Sequence, residues 1–400
     1  MQSLARFTLR FTPCDGIMSA SMNKLLLLII FFFFFPTKIL AIEDPHKNPN
    51  NKIGIHILFD HELEKSAELV NSNGGSWGYV TIPIQNGDRD LIKWQQFMNR
   101  AGKLRVIPIF RLASEGDYFN TNVWKKPTPE DIVDFANFLD SLTWPTKNRY
   151  VIIYNEMNRG DEWGGTVNPS EYASILSFSV NVFKSKSDDF FIISGGLDNA
   201  APDQYPDYMN QYTYIKRMQE AVPGIFNQID GISSHSYPNP GFMQPPSILT
   251  SKSISSFKYE RELIREYRNK DIPIFITETG WNAPHLSDEM KASFYQEAFA
   301  TVWADPGIVT ITPFLYNAGD GPFKGFSFLK QDGSPTAQMD LFLQMPKVAG
   351  KPGLPPYVLG IEKHILNSYP ERDFSSSSEL NSSFSISIFA QDTFRWIMKL

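Results

Sequence analysis

Short apolar segments alternate with longer segments of helical periodicity along most of this chain. Apolar segments of about four to eight residues bounded by turn residues are typical of strands. Apolar positions that recur every three or four residues indicate amphipathic helices instead. The pattern predicts strands at Ile53–Phe59, Trp77–Ile84, Arg105–Leu112, Tyr150–Tyr154, Phe190–Ser194, Gly231–His235, Ile272–Thr277 and Thr310–Tyr316. Between them it predicts helices at Glu62–Asn71, Asp90–Ala101, Pro129–Leu142, Pro169–Phe183, Tyr208–Ala221, Ile254–Asn269 and Ser287–Ala304.

The predicted strands are apolar almost throughout, which favours a parallel sheet that is buried on both faces. Eight such strands alternating with helices predict an α/β fold, a single (β/α)8 TIM barrel over residues 52–345. The rival is a doubly wound open sheet, which usually has a glycine-rich phosphate turn after its first strand. The turn Phe59-Asp60-His61-Glu62 contains no glycine, so the barrel is favoured and a nucleotide cofactor is not expected.

Polar residues follow most of the predicted strands at their carboxyl ends. That end of a barrel carries the active site. The residues are Arg111 on the third strand, Asn155-Glu156 on the fourth, Asp198-Asn199 near the fifth, His235-Ser236-Tyr237 on the sixth, Glu278 on the seventh and Tyr316-Asn317 on the eighth.

Two of these residues, Glu156 and Glu278, are acids that end hydrophobic strands. A carboxyl group at the rim of a core is partly desolvated, so its pKa can be tuned by its neighbours. Two such groups that converge are the minimum needed to break a glycosidic bond. Either acid alone could equally be a helix cap or a salt-bridge partner.

Three motifs, in order on strands four, six and seven, resemble one large enzyme group. They are Asn155-Glu156, the His-x-Tyr pair His235 and Tyr237, and Thr277-Glu278-Thr279-Gly280-Trp281. The group is clan A of the retaining glycoside hydrolases, barrels that include cellulases, mannanases, β-glucanases and xylosidases. The resemblance covers residues 52–345. It implies hydrolysis of a β-linked glycan or glycoside through a covalent glycosyl-enzyme intermediate, without a cofactor. Glu156 would be the acid/base and Glu278 the nucleophile.

The neighbours of the two acids have roles that fit this chemistry. Asn155 can hydrogen-bond a sugar hydroxyl next to the reacting carbon, and such bonds strengthen in the transition state. Tyr237 can donate its hydroxyl to Glu278, which keeps that carboxylate ionised and oriented. His235 can bond a sugar hydroxyl or join the same network. Arg111 either binds the oxygens of the nucleophile or neutralises the acidic mouth.

Aromatic residues near the strand ends are candidates for sugar stacking. Trp281 is a stacking platform or, alternatively, packs under the neighbouring helices. Many clan members place a tryptophan at the end of strand eight, whereas here Tyr316 or Phe314 must stand in. Many also carry an arginine after strand two, where this chain has Ile84-Gln85-Asn86-Gly87, so Arg111 is the candidate to replace it. These departures leave the sugar open.

Two other classes of function remain as alternatives. A catalytically inactive barrel that binds polysaccharide would be consistent with the altered end of strand eight. A metal-dependent hydrolase could use His56, His61 and His235. Barrel metal sites usually draw on a His-x-His pair on strand one and further histidines on strands five and six. Here strand one offers one histidine and strand five offers none. No metal is therefore expected, and His56 is expected in the core or behind the site.

The net charge and the cysteine count limit the kinds of partner and chemistry that this chain can have. The net charge is −6 and no basic stripe is visible, which argues against a nucleic-acid partner. Carbohydrate is the expected substrate. The chain has a single cysteine, Cys14, so an internal disulfide, thiol catalysis and a cysteine-type zinc site are excluded.

The two ends differ from the barrel. Leu25–Phe35 is an apolar run of eleven residues, too short to span a bilayer comfortably, and Lys24 precedes it. Residues 1–41 are therefore interpreted as a secretory signal peptide cleaved after Ala41, or else as a membrane anchor, with Met22 as a possible true start. An exported protein, secreted or held at the cell surface, is expected. Residues 346–400 are expected to form a peripheral, partly disordered tail.

Overall fold

The computed structural model describes residues 42–114, 122–268, 270–319, 321 and 323–355. The predicted signal or anchor segment and the predicted tail beyond residue 355 lie outside these residues. Within them, eight strands form one parallel sheet in sequence order, and the bridge between Ile53 and Ile311 joins its first and last strands. The predicted (β/α)8 barrel is therefore confirmed. The strands are β1 (Gly54–His56), β2 (Gly78–Gln85), β3 (Val106–Ala113), β4 (Arg149–Ile153), β5 (Phe190–Ser194), β6 (Gly231–His235), β7 (Ile274–Glu278) and β8 (Ile308–Ile311).

Helices follow the strands, and several begin at the caps that the sequence predicts. Thr128 accepts a hydrogen bond from the backbone of Asp131, and the Asp131 side chain accepts one from Thr128, which forms a capping box. The side chain of Ser287 accepts a hydrogen bond from the backbone N–H of Met290 and so caps the helix that follows β7. The α-helices are α1 (Leu63–Asn71), α2 (Leu91–Leu104), α3 (Pro129–Ser141), α4 (Pro169–Lys186), α5 (Gln211–Ala221), α6 (Ile225–Gln228), α7 (Ser256–Arg265), α8 (Asp288–Ala300) and α9 (Ala337–Gln344).

The first and last strands are shorter than predicted, and the reason is local hydrogen bonding. After β1 the Glu62 carboxylate accepts the backbone N–H groups of Leu58 and Phe59, at 2.9 and 3.0 Å, which turns the chain out of the sheet. After β8 the backbone N–H of Phe314 donates to Thr279, and that of Tyr316 donates to His56. The chain beyond β8 therefore stays hydrogen-bonded to the ends of β7 and β1, although it no longer forms a regular strand.

The core lies in two layers, as expected for a filled barrel. Aromatic side chains of β4, β5 and β7 meet inside it, and Tyr150 contacts both Phe191 and Phe275 at ring-centroid distances of 4.9 and 5.6 Å. A larger apolar layer lies between the strands and the helices, with Trp94 packed edge-on against Phe110. The barrel interior is thus solid, and the space for a ligand lies above it.

Residues 346–355, the first part of the predicted tail, are hydrogen-bonded to the amino-terminal end of the barrel. Ala349 pairs with Ser76 just before β2, and the N–H of Lys147 donates to Gly353 at 2.8 Å. This segment therefore lies at the opposite end of the barrel from the strand ends that carry the acids. Separately, no helix in the described part of the chain has the length and apolarity needed to cross a membrane.

Candidate active site

A cleft of about 680 Å³ opens at the carboxyl ends of the strands. It is the size of an ordinary small-molecule site. Five of the eight predicted site residues line it, and His235 lies just beneath the surface, 1 % exposed. The five are Arg111, Asn155, Glu156, Tyr237 and Glu278.

The two acids converge although 122 positions separate Glu156 from Glu278 in the numbering. An oxygen of each carboxyl group and a ring nitrogen of His235 all lie within 4.8 Å of one another. Carboxyl oxygens at most 4.8 Å apart fit the roughly 5–5.5 Å separation of carboxyl pairs in retaining glycosidases better than the roughly 6.5–9.5 Å of inverting ones. The same three groups could also hold a metal ion. Their hydrogen bonds, however, account for the convergence without one.

The backbone is strained where β4 ends. Tyr154 and Glu156 both have positive φ angles, 63° and 41°, which residues with side chains rarely adopt. The N–H of Glu156 donates to the carbonyl of Gly196 at 2.9 Å, which ties this kink to the end of β5. Strain of this kind clusters at functional sites, because the surrounding structure must hold it. Here it aims the Glu156 side chain at the cleft.

Glu156 is paired with a histidine. His235 Nδ1 lies 2.9 Å from Glu156 Oε1 and 3.8 Å from Glu278 Oε2. Burial raises the pKa of Glu156, but the hydrogen bond and charge of His235, together with Arg159 and Arg111, outweigh it, so the pKa lies below its usual range. Burial likewise lowers the pKa of His235, but the charge of Glu278 and the contact with Glu156 raise it overall. The pair therefore shares a proton that resides mainly on His235.

Glu278 is held from the other side by Tyr237. The Tyr237 hydroxyl donates to Glu278 Oε2 at 3.1 Å. Burial, followed by the charge of Glu278, holds the pKa of Tyr237 well above its usual value, so the hydroxyl stays protonated and remains a donor. This is the contact that the sequence predicts.

Three charged residues, Arg159, Asp198 and Glu162, surround Glu156. The sequence pattern places only Asp198 near a strand end and assigns a role to none of the three. Arg159 forms a bidentate ion pair with Asp161 and lies 3.8 Å from Glu156 and 3.7 Å from Asp198. Burial and the charge of Glu156 raise the pKa of Asp198 to about 6 and that of Glu162 to about 8. The signal was available, since Arg159 and Glu162 lie in the loop directly after β4, which a barrel places at its mouth.

The opposite wall of the cleft is apolar. Phe314 follows β8, and its ring contacts Phe323 and Phe326 at 5.0 and 6.0 Å. Phe326 in turn packs against Phe242 and Tyr237, at 5.2 and 5.6 Å. Phe314 therefore takes the place at the end of β8 that the sequence left open between Phe314 and Tyr316.

Two predicted sugar contacts do not lie in the cleft. Trp281 is 1 % exposed, its indole N–H donates to the carbonyl of Gln244, and its ring packs against Tyr295 and Trp303. Tyr316 is 5 % exposed and belongs to the apolar layer beneath the helices. Both are core residues, and both lie beyond the ends of their strands, since β7 ends at Glu278 and β8 ends at Ile311.

Arg111 and Asn155 line the cleft, and each has one buried polar atom that is not hydrogen-bonded. Neither Arg111 Nε nor Asn155 Oδ1 has a hydrogen-bond partner among the described residues. Buried polar groups are normally paired, so these two side chains retain hydrogen-bonding capacity beside the cleft.

The fold is similar to solved structures of glycoside hydrolases. One is a family 39 glycoside hydrolase from the gut symbiont Bacteroides cellulosilyticus WH2, 18 % identical with a TM-score of 0.51, covering 76 % of this chain and 65 % of that chain. This chain thus spans about two thirds of that structure. A GH39 β-xylosidase from Caulobacter crescentus is 14 % identical with a TM-score of 0.54, covering 76 % and 72 %.

A family 51 α-L-arabinofuranosidase from Bifidobacterium longum is also similar, 12 % identical with a TM-score of 0.53, covering 76 % of this chain and 74 % of that chain. No protein-family model and no curated protein sequence matches the chain. At these identities the similarity shows a shared barrel. The chemistry depends on the side chains that this chain places at the barrel mouth.

Proposed function

We propose that this protein is a retaining glycoside hydrolase that cleaves O-glycosidic bonds of a β-linked glycan or glycoside. The observation that carries the proposal is the pair of convergent carboxyl groups, the partly buried Glu156 and the buried Glu278. Oxygens of the two lie within 4.8 Å of each other at the mouth of the barrel. Each carboxyl has its own hydrogen-bond partner, His235 for Glu156 and Tyr237 for Glu278. The similarity to glycoside hydrolase barrels supports the proposal at the level of fold.

In the first step a Glu278 oxygen attacks the anomeric carbon of the bound sugar. The bond from that carbon to the leaving oxygen breaks, and its electrons stay on the leaving oxygen. Glu156 gives that oxygen its proton. The products are a glycosyl ester on Glu278, an ionised Glu156 and a free alcohol.

In the second step water replaces the alcohol. Glu156 takes a proton from the water, the water oxygen attacks the anomeric carbon, and the ester bond between that carbon and Glu278 breaks. The sugar leaves with the configuration it had in the substrate, because the carbon has been inverted twice. Asn155 and Arg111 line the cleft, where their side chains can bond the sugar while charge develops.

The proton for the first step comes from the Glu156–His235 pair. Because the pKa of Glu156 is lowered and that of His235 is raised, the resting proton lies on His235 Nδ1, 2.9 Å from Glu156 Oε1. Transfer across this hydrogen bond makes Glu156 a neutral acid when a leaving oxygen approaches. Once the pH exceeds the raised pKa of His235 the pair loses this proton, so activity is expected to decline on the alkaline side.

The test is the anomeric configuration of the first product. Aryl β-glycosides and soluble β-glucans are incubated with the protein, and proton NMR follows the anomeric signal before mutarotation. The expected product is the β-anomer. Release of the α-anomer would refute the retaining mechanism. Binding on a glycan array without any product would favour the inactive polysaccharide-binding barrel.

A further inference from the structure

His56 is a buried residue at the end of β1 that the mechanism above does not use. Its side chain has no exposed surface, and it lies behind Glu278, with Nδ1 at 3.7 Å from Glu278 Oε1. Neither of its ring nitrogens has a hydrogen-bond partner among the described residues. An imidazole always carries at least one N–H, so an unpaired donor is buried beside the carboxylate that we propose as the nucleophile.

The ring is neutral. Burial, followed by the charges of Arg111 and His235, holds the pKa of His56 well below its usual value. Its interaction with Glu278 is therefore that of a neutral donor with a carboxylate. The carbonyl of Thr277 is the other acceptor beside the ring, and its contact partly offsets the lowering of the pKa of His56. This carbonyl also accepts a hydrogen bond from the Thr312 hydroxyl at 2.8 Å.

The position of His56 is fixed by its surroundings. Its backbone N–H donates to Pro313 at 3.0 Å, and its carbonyl accepts from Tyr316 at 2.8 Å. The ring stands edge-on to Phe314, with centroids 5.1 Å apart and an interplanar angle of 89°. A donor held this firmly can orient the flexible side chain beside it.

We propose that His56 is a positioning residue for Glu278 and acts as the Nδ1–H tautomer. This inference rests on the proposed function. Tyr237 binds Oε2 of Glu278 and His56 faces Oε1, so the two donors fix the plane of the carboxylate from both sides. The contact closes to a hydrogen bond when substrate fills the cleft, because catalytic hydrogen bonds are often long in the free enzyme.

Two substitutions separate the donor from the packing. His56→Phe keeps a ring and removes the N–H, whereas His56→Asn places an amide donor near the position of Nδ1. His46→Phe is the matched control, because His46 is an exposed histidine before β1. The readout is the rate at which an activated 2-deoxy-2-fluoro glycoside forms the covalent adduct on Glu278, since this step depends on the placement of the nucleophile.

His56→Phe is expected to slow adduct formation roughly 10- to 100-fold with little change in the apparent affinity, and His56→Asn is expected to recover most of the rate. The control should match the wild type. A folded His56→Phe variant that reacts at the rate of the control would overturn the proposal. If the wild type forms no adduct with any glycoside, the proposed function fails instead.

A second measurement needs neither a substitution nor a substrate. Nitrogen-15 NMR of the histidine-labelled wild-type protein reports which ring nitrogen of His56 carries the proton. A neutral Nδ1–H tautomer supports the proposal, and the Nε2–H tautomer contradicts it. This readout decides the question even if His56→Phe does not fold.

Discussion

The two carboxyl groups of the cleft are the same side chain in two different surroundings. Glu156 lies among charges, with His235 on one oxygen and Arg159 at 3.8 Å from the other. Glu278 is hydrogen-bonded to the neutral donor Tyr237 and faces the neutral His56, and His235 stays 3.8 Å away, beyond hydrogen-bond distance. It lies beside the phenylalanine wall formed by Phe314, Phe323 and Phe326. The difference teaches how one barrel mouth can give identical groups opposite tasks. The carboxyl that exchanges a proton is hydrogen-bonded to a titrating partner, whereas the one that attacks carbon is oriented by donors that stay neutral.

The largest effect is expected from removing the attacking group. Glu278→Ala should lower kcat/KM on every substrate by at least about 10⁴-fold, because no covalent intermediate can form. Steady-state rates on aryl β-glycosides measure this loss. Glu220→Ala, an exposed glutamate on α5, is the control and should retain wild-type rates. Wild-type activity in Glu278→Ala would remove Glu278 from the chemistry.

Removing the acid/base, Glu156, is expected to have a smaller effect that depends on the leaving group. Glu156→Ala should lower activity about 10²- to 10⁴-fold on substrates with a sugar leaving group, which needs a proton. The rate of the first step should fall far less for aryl glycosides of acidic phenols, because an acidic phenol can leave without taking a proton. A series of phenols of increasing acidity measures the dependence. Equal losses across the series would contradict the role of Glu156 as the acid.

The phenylalanine wall should affect binding and not protonation. Phe314→Leu removes the ring at the end of β8 and should lower kcat/KM roughly 10-fold. The pH limits of activity should stay where they are, since Phe314 does not titrate. A full pH profile of this variant checks both points. A shift of the alkaline limit in Phe314→Leu would show that the phenylalanine wall also influences the protonation of the Glu156–His235 pair, which contradicts this prediction.

The smallest effect concerns the neighbours of Glu156. Asp198, with its pKa raised to about 6, is ionised at neutral pH and favours the protonated form of Glu156 by repulsion. Asp198→Asn should therefore lower the pKa at which the Glu156–His235 pair loses its proton and move the alkaline limit of kcat/KM to lower pH, by roughly one unit or less. Glu162→Gln is the matched control. With its pKa raised to about 8, Glu162 is already neutral at pH 7, so its loss should change little there. An equal shift in both variants would contradict this account.

The fold could be predicted from the sequence because its signals are local. Continuous apolar segments identify buried parallel strands, and caps such as Thr128 identify where helices begin. Parallel strands of a barrel all end at one mouth, so counting strands along the sequence is enough to predict that Glu156 and Glu278 meet there.

The parts of the site that escaped prediction depend on the chain after it leaves a strand. Gly280 has a φ of 149°, after which Trp281 enters the core instead of the cleft. The alternation that orients side chains stops when β8 ends at Ile311, so the sequence cannot choose between Phe314 and Tyr316. His56 looks like an ordinary core residue in the sequence, because its partner Glu278 is 222 positions away in the numbering.

The most direct test of the division of labour between Glu156 and Glu278 is the configuration of the glycosyl azide that each variant forms from an activated aryl β-glycoside in the presence of azide. In Glu278→Ala, azide takes the place of the nucleophile and should give the α-glycosyl azide. In Glu156→Ala, azide should attack the intermediate on Glu278 and give the β-glycosyl azide. Proton NMR of the two products reads the result. The reverse pattern, or the same anomer from both variants, would contradict the assignment of nucleophile and acid/base.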